Sequence, residues 1–236
     1  MNSSTTRHNG ARTTSLGGTL LVIAVAFALP FLNSLRVFID GVRPHAIPQI
    51  AVVAAIVQML LSLCVLSYVL SQRGLALDDL GLRFSASDVP ASVILTVLAL
   101  LGSRFTYAGE WHLYWELTGH APPIHPYPSI LDAGLTPLVI LFIVIDPFVE
   151  ELIGRAFVIR ETHFFTGRSW PGIVISVMLT ASYHLYEGWV SIAPVATIFL
   201  VFAIYYSKTR RAWPIIAAHL GYDLIVLGEH LHMLGS

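Results

Sequence analysis

Glu150-Glu151-Leu152-Ile153-Gly154-Arg155 lies between two apolar runs, Leu138–Ile145 before it and Ala156–Ile159 after it. Placing one charge in a transmembrane segment costs roughly 2.5–3.5 kcal/mol on insertion scales, so charges there usually line a polar cavity and serve a function. Glu151 and Arg155 are spaced i, i+4 and can neutralise each other on one helical face. That pairing leaves Glu150 unexplained, which makes it the residue to examine for chemistry. Two more polar groups interrupt apolar sequence downstream. One is His184, in Leu179-Thr180-Ala181-Ser182-Tyr183-His184, and the other is His219-Leu220-Gly221-Tyr222-Asp223. His219 and Asp223 are also four apart, so both project from one face. A carboxylate that activates a water, with imidazoles nearby to orient it or to stabilise a developing oxyanion, is a workable hydrolytic set. The same Glu, His, His and Asp also suit zinc. No H-E-x-x-H motif decides between the two.

The elements that must position these groups are membrane helices. The 236 residues are 56% hydrophobic and only 11% charged, where soluble domains carry about 25% charged residues. Mean hydropathy is +0.73. A net charge of −1 with no basic stripe excludes a nucleic-acid partner. The single cysteine, Cys64, rules out a disulfide framework and reads as a small core-filling thiol.

Seven spans are expected: Leu16–Leu35, Ile47–Leu70, Val89–Ala108, Ala133–Ile159, Trp170–Tyr186, Val190–Tyr206 and Trp213–Leu231. The fold class is therefore all-α, a polytopic membrane helix bundle forming a single domain over residues 1–236. Residues 1–15 would be a flexible tail ahead of an uncleaved first helix, and residues 130–231 would form the motif-bearing helices. Leu75–Phe84 is too short and too charged to span, and its leucines are expected to rest in lipid at the interface. Glu110–Asp132 reads as an interfacial loop with Trp111, Trp115, His112, His120, His125 and four prolines. Pro147 should break its helix just before Glu150. With the N-terminus in the cytoplasm, nine Lys/Arg fall inside (Arg7, Arg12, Arg73, Arg83, Arg160, Arg168, Lys208, Arg210, Arg211). Three fall outside (Arg36, Arg43, Arg104), and Arg155 lies within the membrane, so the positive-inside rule favours that orientation. Counted from those cytoplasmic ends at 1.5 Å per residue, Glu150 and His184 both lie about 23 Å along their helices and His219 about 12 Å.

Glu-Glu-x-x-x-Arg on one helix, a histidine on the next, then His-x-x-x-Asp after Tyr205–Ala218 resembles the CAAX protease and bacteriocin-processing (CPBP, or Abi) family of intramembrane proteases. The resemblance covers about Asp146–Asp223, and Leu80-Gly81-Leu82-Arg83 is similar to a further family habit. It implies a glutamate-dependent endopeptidase of the bacterial inner membrane, acting on a membrane-associated peptide or protein, with lipids around it and no cofactor or metal. By the same resemblance, Glu150 would be the general base and Glu151 with Arg155 would tune it. His184 and His219 would position the water or the oxyanion, and Asp223 would stand where asparagine is usual. An ionised aspartate cannot donate a hydrogen bond to an oxyanion, so Asp223 must be protonated, orient His219, or ligate something. Thr180 replaces a usual phenylalanine, a change expected to alter pocket shape more than chemistry. Two rival classes are a non-proteolytic immunity or scaffolding protein of the same fold and a proton-coupled transporter or channel. The transporter would be expected to show internal repeats, and none is visible.

Overall fold

The computed structural model describes residues 16–40, 47–122 and 134–235. Among them the regular structure is entirely helical: α1 Leu16–Asp40, α2 Gln49–Ser71, α3 Asp88–Thr118, α4 Pro137–Val149, a π-helix Glu150–Phe157, α5 Val158–Thr166, α6 Trp170–Tyr183, α7 Ile192–Thr209 and α8 Trp213–Gly235. Because α4, the π-helix and α5 run on without interruption, these are seven helical rods. The expected polytopic helix bundle is the observed one. Leu16–Asp40, Gln49–Ser71, Asp88–Thr118 and Trp189–Thr209 are long and apolar enough by themselves to cross a membrane.

The rods close on one another. α4 packs on α2 and α8, α2 on α1, α1 on α6, α6 on α7, α7 on α3 and α3 on α8. The rod from 137 to 166 leans on α2 and α8 with its first half and on α6 with its last, which carries its middle, Glu150–Phe157, through the interior. Leu152, Ile153, Ala156 and Phe157 of that middle join Phe199, Phe202, Ala203, Ile215 and Ile216 in the main apolar core.

Several expectations need correction. Pro147 does not break its helix. The rod continues through it and changes winding three residues later, and the Val158 N–H reaches Ile153 O, five residues back. Such π turns widen a helix locally and are frequent at functional sites. α3 runs ten residues beyond its expected end, because nothing from Glu110 to Thr118 blocks an i→i−4 ladder; it stops where the Gly119 N–H caps Trp115 O. Trp111, His112 and Trp115 are thus helical rather than in a loop. His112 and His120 are exposed, while His125 lies outside the described residues, as do Arg7, Arg12, Arg43 and the tail 1–15. α6 ends at Tyr183, short of Tyr186. Two 3₁₀ turns, Leu185–Glu187 and Trp189–Ser191, follow about Gly188, whose φ of +93° suits glycine.

Cys64 is exposed rather than core-filling. α2 is apolar all round, so its sequence has no period to say which side packs, and its buried stripe runs through Val52, Ile56, Ser62, Leu66 and Val69. The interfacial stretch also differs from expectation, since its leucines enter protein instead of lipid. Leu80 is fully buried, with Leu75, Leu77 and Leu82 packed against the same core. What draws them in is a backbone clamp on the α7–α8 turn. Ala212 N–H donates to Gly81 O at 2.9 Å and Tyr206 O–H to Leu80 O at 3.1 Å. Gly81 permits this twice over, with φ at +88° and no Cβ where one would meet Arg210 O.

Candidate active site

Arg155 is the hub of the polar interior. Its side chain is wholly buried, as is that of Glu151, and Nε lies 3.0 Å from Glu151 Oε2. Nη1 donates to Glu150 O at 3.2 Å and to Thr180 Oγ1 at 2.9 Å, and the guanidinium stacks 3.8 Å from the centre of the Phe199 ring. Thr180 therefore does more than shape a pocket, because its hydroxyl holds the arginine. The π winding fits this arrangement, since the arginine serves the carbonyl and the carboxylate of the widened turn together.

His219 meets this hub from α8. Its Nδ1 lies 2.9 Å from Glu151 Oε1. Its Nε2 points at two other carboxylates, Glu150 Oε2 at 4.0 Å and Asp223 Oδ2 at 3.7 Å. Glu150 Oε2 is sealed from the surface and has no partner at full hydrogen-bond geometry among the described residues, although Arg155 Nη2 lies 3.7 Å away and the buried Tyr183 hydroxyl faces the same carboxylate. A buried acceptor held near a guanidinium and an imidazole yet bonded to neither is an uncommon arrangement that calls for an explanation.

His184 stands apart. It is the residue that caps the C-terminus of α6, its Nδ1 pairs with Glu187 Oε1 at 2.8 Å, and among the described residues no hydrogen bond or ion pair joins it to Glu150, Glu151 or His219. It shares the Phe199 ring with His219, at centroid distances of 5.9 and 5.3 Å. Depth counting paired Glu150 with His184 and left His219 the outlier, and the contacts are the reverse. Which side chains meet is set by how the helices pack side by side, so equal counts from helix ends do not imply contact.

Three residues were missed by sequence reasoning. Asp146 lies one turn before Glu150, and one ligand atom each from Asp146, Glu150 and His219 fall within 4.8 Å of one another. These three are the described residues that could hold a metal ion. An acidic residue at i−4 from Glu150 inside an apolar run was the available signal. Glu187 was signalled by its i+3 spacing from His184. Phe199 had no signal, being one aromatic among many.

Residues 132–225 match the family model for Type II CAAX prenyl endopeptidase Rce1-like proteins. The matched segment contains Glu150, Glu151, Arg155, His184, His219 and Asp223, and the resemblance to the CPBP family is borne out. At the level of the family it supports a CAAX-type intramembrane protease. No curated protein and no solved structure matches the chain.

Proposed function

We propose that the chain is an intramembrane endopeptidase in which Glu150 activates a water against a peptide bond of a membrane-associated peptide or protein. The observation that carries this reading is the unbonded, buried Glu150 Oε2 beside Arg155 and His219. A water there would give a proton to Glu150 as its oxygen bonds to the carbonyl carbon, and the carbonyl electrons would move onto oxygen. His219 Nε2, His184 Nε2 and Asp223 are the groups assigned to the reacting oxygens. With Nδ1–H held by a carboxylate, each Nε2 accepts a hydrogen from the water, or donates to the oxyanion once the ring is an imidazolium, and Asp223 donates when protonated. Glu150 then returns its proton to the amide nitrogen as the C–N bond breaks. Glu151 and Arg155 do not touch the reacting atoms in this scheme; they hold His219 and the Glu150 backbone in place. The reading sets the chain in a bacterial inner membrane with its N-terminus cytoplasmic. The orientation is supported by Arg73, Arg83, Arg160, Arg168, Lys208, Arg210 and Arg211, which all fall at helix ends on the side where α1 begins.

The test is incubation of the purified protein in detergent with a peptide library, wild type against Glu150→Gln. Glutamine keeps the shape but cannot take a proton from water. Turnover should fall by at least about 10²-fold, the low end of what a positioned base contributes. Cleavage undiminished in the folded variant removes Glu150 from the mechanism.

A second reading rests on Asp146, Glu150 and His219. Two carboxylates and an imidazole would suit a divalent ion such as zinc, with a fourth position left for a water whose deprotonation the ion assists. In that reading Glu150 is a ligand rather than the base.

A further inference from the structure

The two imidazoles are tied down by the same ring nitrogen. His219 Nδ1 faces Glu151 Oε1 at 2.9 Å and His184 Nδ1 faces Glu187 Oε1 at 2.8 Å. An ionised carboxylate only accepts, so in each pair Nδ1 carries a hydrogen and Nε2 is the nitrogen left to act. For His219 that nitrogen is directed at Glu150 and Asp223. For His184 it is buried and has no hydrogen-bond partner among the described residues. Leaving a buried polar atom unmade costs about 1–3 kcal/mol, so a fold that keeps one calls for a reason.

The chain is built locally to hold this arrangement. α6 stops at Tyr183, Glu187 N–H donates to His184 O at 3.0 Å, and Gly188 turns the backbone away at φ +93°. That single 3₁₀ turn brings the Glu187 carboxylate back over the imidazole, an i, i+3 approach. Tyr183, Tyr186 and Phe199 crowd the ring at centroid distances of 4.8, 5.9 and 5.9 Å, which limits its rotation. The Tyr186 N–H is fixed in turn by Ser34 Oγ of α1 at 2.8 Å.

We propose that Glu187 is the positioning residue of His184, holding its Nδ1–H so that Nε2 is presented to the peptide group at Glu150. This rests on the proteolytic reading above. Glu187 thus does for His184 what Glu151 does for His219, from a different element and without belonging to any of the three motifs.

The experiment uses full-length protein in detergent, with ring-15N histidine, and compares wild type with Glu187→Gln, Glu187→Ala and, for signal assignment, His184→Gln. Wild type should show His184 protonated at Nδ1. Glu187→Ala should lose that fixed state and cut kcat roughly 10–100-fold, the range seen when an outer partner of a functional histidine is removed, while KM moves less than about twofold. Glu187→Gln, whose amide oxygen still accepts from Nδ1–H, should recover most of the ring signal and part of kcat. A wild-type His184 with its hydrogen on Nε2 and none on Nδ1, or unchanged kcat in folded Glu187→Ala, overturns the proposal. Should Glu187→Ala not fold, the wild-type ring signal and the Gln variant still decide. Should wild type cleave no peptide, the proteolytic reading falls instead, and the ring signal alone keeps or overturns the anchor.

Discussion

Arg155 Nε lies 3.0 Å from Glu151 Oε2, and neither side chain has any exposed surface. The same arginine binds Thr180 and stacks on Phe199, so its removal strands a buried carboxylate and empties space at the centre of the bundle.

Breaking a buried pair by deleting one partner typically costs about 3–5 kcal/mol. Arg155→Ala should therefore lower the melting temperature sharply as well as activity. Thr180→Val, which keeps volume but removes one acceptor, should lose roughly 1–3 kcal/mol. Glu150→Gln should melt near wild type. An Arg155→Ala protein as stable as wild type would contradict the pairing.

The Glu-Glu-x-x-x-Arg and His-x-x-x-Asp clusters were legible in sequence because charge inside apolar runs stands out and i, i+4 spacing has one geometric meaning. The Glu151–Arg155 pair and the closeness of His219 to Asp223 followed from that alone. Partners across helices did not. Whether His219 or His184 meets the glutamates depends on how α6 and α8 pack against the π-helix, and counting residues along a single helix does not give that. The outward face of Cys64 was hidden because α2 is uniformly apolar, and the length of α3 because a Trp-rich stretch fits both an interfacial loop and a helix.

Gly81 is the point at which a single methyl group should undo the clamp. A Cβ there would sit 2.0 Å from Arg210 O, on backbone at φ +88° that L side chains rarely adopt. Strained φ alone costs about 1–3 kcal/mol, and the clash falls on backbone that cannot rotate away. Gly81→Ala should lower thermal stability by more than Gly17→Ala, where a Cβ meets nothing within 4 Å. Equal melting temperatures for the two variants would show the clamp to be dispensable.

The metal question is decided by removal and return. On the glutamate reading, extensive chelation should leave peptide cleavage within about twofold of the untreated enzyme, because Glu150 needs only its proton-accepting oxygen. Asp146→Asn should then reduce activity modestly at most. Stoichiometric zinc by elemental analysis, with activity lost on chelation, restored by zinc and abolished in Asp146→Asn, would transfer the mechanism to the Asp146, Glu150 and His219 site.

Asp223 offers the sharpest test, because the geometry separates its two candidate roles. If it oriented His219, it should occupy the imidazole at hydrogen-bond distance, but Glu151 already holds Nδ1 at 2.9 Å and Asp223 stands 3.7 Å from Nε2. Its side chain is 29% exposed, against 7% for His219, so it is the more open of the two to a substrate oxygen. A carboxyl that must donate to an oxyanion works only while protonated, so that contribution fades as pH rises through its pKa. An amide donates at every pH. Asp223→Asn should accordingly retain or increase kcat and extend activity to higher pH, removing a limb from the pH–rate profile of wild type. A variant depressed by orders of magnitude across the whole pH range, as when the aspartate of a catalytic triad is replaced, would instead make the charge on Asp223 the support of a His219 imidazolium.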